Sequence, residues 1–142
     1  MPSPLSCGLV WFRRDLRAHD HPALLHALRE CAQVHCVFVF DEDILARLPR
    51  ADRRVRFIRE SLCDLDQALR ALSHDAHAGL IVLHACARAA VPELAQRLDV
   101  QAVYAGRDDE PAALERDAHV RTALAQQGRE LRLFKDHTVF ER

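Results

Sequence analysis

Three short charged clusters hold the residue types from which chemistry is built. Arg13, Arg14, Asp15, Arg17 and Asp20 lie within "VWFRRDLRAHDHPAL" (10–24), followed by "DED" (41–43) and "GRDDEP" (106–111). Each comes directly after an apolar run. Guanidinium groups suit paired hydrogen bonds to carboxylates and phosphates, and carboxylates accept from the N–H edge of a ligand. The same residues also serve as solvated turns that pair among themselves, so type and spacing leave both readings open.

Other machinery is missing from the sequence. With four glycines in 142 residues there is neither Gly-x-Gly-x-x-Gly nor a P-loop run, so no glycine cradle for phosphates is expected. His19 with His21, and His74 with His77, are close pairs, but no cysteine or carboxylate spacing completes a four-ligand metal set. The nine histidines are expected to face solvent. None of Ser3, Ser6, Ser61 or Ser73 falls on a strand-to-helix elbow of the kind a serine nucleophile needs. Arg47, Arg50, Arg53, Arg54, Arg56 and Arg59 make a locally basic stretch capable of meeting phosphates. It reads more simply as a solvated helix face, balanced by Asp41, Glu42, Asp43 and Glu60.

Bulk properties narrow the class. Apolar residues make up 49% and charged residues 29%, a globular composition, and the net charge of -1 gives no case for nucleic acid or an anionic membrane. Five cysteines with no Cys-x-x-Cys pair read as reduced, mostly buried thiols of a cytoplasmic protein. "MPSPLSCG" is no secretory signal, and no apolar run approaches membrane-spanning length.

The clusters must be held by the elements between them. "GLVWF" (8–12), "VHCVFVF" (34–40), "GLIVL" (79–83), "QAVYA" (101–105) and "LRLF" (131–134) are apolar without alternation, the mark of strands buried on both faces. Helical patterns separate them. The first covers Pro22 to Glu30, with Asp20 as its expected N-cap. The second carries Val55, Ile58, Leu62, Leu65, Leu69 and Leu72 as one stripe. A third holds Val91, Leu94, Ala95 and Leu98, with Pro92 in its first turn or at a kink. The fourth runs from near Pro111 to Gln127, stopped by Gly128. Alternating strands and helices with right-handed crossovers give an α/β fold: a doubly wound, five-stranded parallel sheet of order 3-2-1-4-5. All three charged clusters then fall on the carboxyl rim, where open α/β sheets bind ligands.

The residues also carry a resemblance. "LVWFRRDLRAHDHPAL" resembles the opening of the DNA photolyase/cryptochrome family, and "RRVRFIRESLCDLDQAL" (53–69) is similar to its second helix. "VYAGRDDEPAALERD" (103–117) resembles the motif around its fourth strand, with Glu-Pro and a later Arg-Asp, and "KDHTVFE" looks like the start of the connector out of the domain. The likeness covers essentially the whole chain. It implies that residues 1–142 are a Rossmann-like N-terminal domain that harvests light with an antenna pigment: methenyltetrahydrofolate, 8-hydroxydeazaflavin or FMN. A helical domain absent from this chain is then its partner, holding FAD, binding damaged DNA and performing light-driven electron transfer. No catalysis, membrane contact or self-association is expected of the domain alone.

Carried over residue by residue, the resemblance puts Glu110 on the carboxylate position associated with the pigment, with Arg54 on helix two and Arg107 and Asp108 after strand four. Arg13 lies on the same rim, with Asp15, Asp20 and neighbouring loops as its expected partners. The chain departs from the motif at Ala105, Gly106 and Asp109, where the family has a large aromatic, an asparagine and a second aromatic, so weak or absent pigment binding is expected. A cryptochrome-type photoreceptor shares the domain, and a stand-alone nucleotide-binding module is the alternative from another class.

Overall fold

Strands with no polar alternation need cover on both faces, and the computed structural model supplies it for the central strands. It does not for "GLIVL", an edge strand in which no residue is buried and Val82 is exposed. The structure describes residues 5–13, 16, 21–41, 53–73 and 79–135. The elements are β1 (Leu5–Phe12), α1 (Pro22–Glu30), β2 (Cys31–Asp41), α2 (Arg53–Ser73) and β3 (Leu80–Ala85), then α3 (Ala87–Leu98), β4 (Ala102–Gly106), α4 (Pro111–Gln126) and β5 (Glu130–Phe134). The five strands form one parallel sheet of order β3-β2-β1-β4-β5, as expected from the alternation.

Successive residues of the central strands feed opposite layers. Leu9, Trp11, Val37, Val39, Val103 and Ala105 pack with Val91, Leu94 and Ala95 of α3 and with Val120 and Leu124 of α4. Val10, Phe12, Phe38, Phe40 and Tyr104 face the other way, onto Leu24 and Ala27 of α1 and Leu62, Leu65 and Leu69 of α2. The sheet is thus a Rossmann-like wall between two helix layers.

Several local expectations need correcting. The N-cap of α1 is His21, not Asp20, which lies outside the described residues: His21 Nδ1 accepts from the Leu24 N–H at 3.1 Å. Its ring is fully buried and meets Phe12 edge-on at 4.8 Å, so this histidine does not face solvent. A short polar side chain is the usual cap, but an imidazole that also fills a hydrophobic corner does both jobs. His26 and His84, though partly exposed, stack on Phe134 and Phe40. Pro92 sits at the sixth residue of α3, because the helix starts a turn earlier, at Ala87; proline there forfeits one i→i−4 bond. Strand β2 begins at Cys31, which is itself the C-cap of α1, so no loop separates the two elements.

The helix ends opposite the rim are tied by one side chain. α3 closes on Asp99 at φ 54°, and Gly128 after α4 takes φ 77°. Arg129 reaches the Val100 carbonyl at 2.7 Å, the Gln127 carbonyl at 3.3 Å and Asp99 Oδ1 at 2.9 Å.

Candidate functional site

Strand order reverses between β1 and β4, and the carboxyl ends of these strands define the candidate site. Arg13 stands at that reversal. Its Nη1 pairs with Asp117 Oδ1 of α4 at 2.5 Å, and its Nη2 donates to the Gly106 carbonyl that ends β4. The two side chains are 6% and 4% exposed, which makes this a buried pair rather than a solvated one. Asp15 and Asp20, the partners expected from sequence, lie outside the described residues; the observed partner is 104 positions away.

Trp11 completes the unit. The guanidinium carbons of Arg13 and Arg116 lie 4.8 and 5.0 Å from its ring centroid, within cation–π range. Arg116 Nε also approaches Asp117 Oδ1, at 3.4 Å. Burial lowers the pKa of Arg13 from its ordinary value while Asp117 pulls the other way; a guanidinium stays charged throughout. Asp117 Oδ2 has no hydrogen-bond partner among the described residues. A buried carboxylate oxygen in that state is costly unless water or a ligand N–H serves it.

Above this base lies the turn from Arg107 to Glu110. The Arg107 N–H extends the β4–β5 pairing to the Phe134 carbonyl at 2.8 Å. Asp108 Oδ1 accepts from the Glu110 N–H at 3.1 Å, and the Glu110 carbonyl accepts from Leu114 at 2.9 Å as α4 begins. The Glu110 side chain is exposed and makes no capping bond, although it occupies the N-cap position. Arg107 pairs with Asp109 at 3.1 Å, but both side chains are more than half exposed, so the pair stabilises little. Asp108 is close enough to act electrostatically on Arg13.

Four of the five residues expected at the site therefore meet on one rim: Arg13 beneath, and Arg107, Asp108 and Glu110 on the turn above. Arg54 falls within α2, but its side chain lies outside the described residues. Ala105 is fully buried in the α3/α4 layer, beside Trp11 across the β1–β4 pairing. Sequence reasoning named neither Arg116 nor Asp117 as part of the site. Both stand in the quoted "ERD", but no spacing rule links that tripeptide to "WFR" at the other end of the chain.

A second polar cluster lies on the α1 side of the sheet. Tyr104 donates to Glu30 Oε1 at 2.6 Å, Arg132 Nη1 reaches the same oxygen at 2.5 Å, and the Cys31 thiol lies 3.5 Å from the phenol oxygen. The hydrogen bond from Tyr104 holds Glu30 below its usual carboxylate range, whereas burial raises Tyr104 itself.

Residues 8–142, which include both ends of the Arg13–Asp117 pair, match the family model for DNA photolyase. The chain belongs to the DNA photolyase family. It is 44% identical over 116 residues to the deoxyribodipyrimidine photo-lyase of Thermus thermophilus, covering 82% of this chain and 26% of that protein. Cryptochrome-2 of Gallus gallus is 35% identical over 130 residues, 92% of this chain and 22% of its own length. Among solved structures, the archaeal photolyase from Sulfolobus tokodaii superposes with a TM-score of 0.81 at 30% identity, covering 96% of this chain and 32% of that one. The chain thus spans between a fifth and a third of the length of these relatives.

Proposed function

We propose that this chain is the antenna-pigment domain of a light-driven pyrimidine-dimer photolyase, with no catalysis of its own. The observation that carries the reading is the family match over residues 8–142, supported by 44% identity to a deoxyribodipyrimidine photo-lyase. The cryptochrome matches, one of them at 35% identity, keep a photoreceptor as the second reading. Flavin chemistry and contact with damaged DNA belong, on this proposal, to a helical FAD domain outside these residues.

Glu110, Asp108 and Arg107 are the groups we assign to the pigment, with Arg54 as a further member from α2. A carboxylate accepts from a pterin or flavin ring N–H, and an arginine stacks on the ring or pairs with an anionic tail. The polar turn is exposed and offers no aromatic surface: Asp109 is open to solvent, and Ala105 is buried in the layer beneath. Stacking area of roughly 150–250 Å² per ring is therefore missing, and affinity should be weak. The Sulfolobus tokodaii photolyase structure holds two FAD molecules, with the implication of a novel light-harvesting cofactor, so FAD joins the ligands to be tried.

The test is a fluorescence titration of the purified chain with methenyltetrahydrofolate, 8-hydroxydeazaflavin, FMN and FAD, repeated on Glu110→Ala. Binding weaker than micromolar, reduced further by the substitution, is expected. Tight binding that ignores Glu110→Ala would remove the assignment of the rim turn.

A further inference from the structure

We propose that Arg13 is a positioning residue, whose guanidinium sets the Arg107–Glu110 turn by bridging the strand that enters it and the helix that leaves it. This rests on the reading of the rim turn as the pigment-facing element, and it separates Arg13 from the groups that touch pigment. One arm of the fork holds the Gly106 carbonyl, the last residue before the turn, and the other holds Asp117, two turns into α4. With the side chain 6% exposed, almost none of it remains for a ligand. Between the two anchors the turn's own bonds, Arg107 N–H to Phe134, Arg107 to Asp109, Glu110 N–H to Asp108 and Leu114 N–H to Glu110, lie on groups that are exposed or half-exposed. Loss of the bridge should therefore loosen the turn before it loosens the sheet.

Lysine offers the same charge as a single point, without the planar fork. Arg13→Lys should keep the ion pair with Asp117 and lose the Gly106 carbonyl. A purely structural role, in which only a buried positive charge is required, predicts full rescue by lysine. The bridging role predicts a split: a urea midpoint close to wild type, with amide hydrogen exchange at Arg107 and Glu110 at least tenfold faster and the amides of β2 and α3 unchanged. Asp117→Asn retains an oxygen for Arg13 while removing the charge. It should disturb these two amides less than Arg13→Lys does.

Exchange in Arg13→Lys equal to wild type, or a rise spread evenly over the sheet, would overturn the proposal. So would failure of both variants to fold, since positioning must be separable from folding. The exchange readout needs no pigment. If wild type binds none of the four pigments, the antenna reading suffers while the bridge is still decided; if it binds one, Arg13→Lys should weaken that binding as Glu110→Ala does.

Discussion

At the scale of single residues, the tightest constraint is at Gly8 in the middle of β1. A Cβ there would lie 2.5 Å from Cys31 Sγ and 3.2 Å from the Tyr104 ring. Those neighbours cannot retreat, because Cys31 is buried and Tyr104 is held by Glu30. Gly8→Ala should cost about 1–3 kcal/mol, the usual range for overpacking a filled core. Adding Cys31→Ala should return part of it, as chemical denaturation would show. A neutral Gly8→Ala would mean that the strand shifts more freely than this packing allows. Cys36 is also buried, and burial pushes its thiol up to about 12, which disfavours the reactive thiolate.

At the scale of elements, two carboxylates act as fasteners. Glu30 joins the end of α1 to β4 and β5, and its pKa lies below the ordinary 4.5, first because of the Tyr104 hydrogen bond. Asp66 of α2 accepts the Leu80 N–H at the start of β3, at 2.7 Å, and that bond is the main reason it lies below 3.8. Depressed carboxylates mean that the unfolded chain binds more protons than the folded one. The stability they add is complete above about pH 5 and is lost as pH falls through their folded-state values. Urea midpoints at neutral and acid pH should drop less in Glu30→Gln and Asp66→Asn than in wild type; parallel drops would contradict the assignment. On the opposite side of the sheet, Arg129→Ala should cost roughly 1–3 kcal/mol by leaving the Val100 carbonyl without its donor. Asp99→Gly should gain up to about 1 kcal/mol, because φ 54° suits glycine and the Asp99 side chain, 92% exposed, contributes little to its ion pair. Thermal melts of both variants would check the signs.

Legibility in the sequence followed the range of the interactions. Unbroken apolar runs and the Val55–Leu72 stripe read directly as strands and helix, because the pattern is local. His21 as a cap was hidden, since an Asp one residue earlier fits the local rule better and the ring contact with Phe12 that helps bury the imidazole is not a local signal. Arg13 was visible as a charge at a strand end, but its partner was not: ion pairs between distant segments leave no period. Glu110, Arg107 and Asp108 were placed by resemblance to a family motif, and their chemistry, on an exposed turn, could not have been found from periodicity at all.

At the scale of the whole molecule, a domain spanning under a third of its relatives should show only part of their behaviour. The purified chain, illuminated with blue light in the presence of FAD, should leave dimer-containing oligonucleotides unrepaired. Repair under those conditions would place the flavin chemistry within these residues and refute the division of labour proposed above.

The position of β1 in the middle of the sheet also sets a timetable. Gly106, which Arg13 must reach, is made 93 positions later, and Asp117 later still. At a synthesis rate of roughly 5–20 residues per second, that interval lasts on the order of 5–20 s. In its last part, after β3 is completed at Ala85, the nascent half-sheet of β1, β2 and β3 presents Leu9 and Trp11 with no α4 to cover them, and an open apolar edge where β4 belongs. A slower codon stretch before β4 should therefore lengthen the time for which that apolar edge stands open.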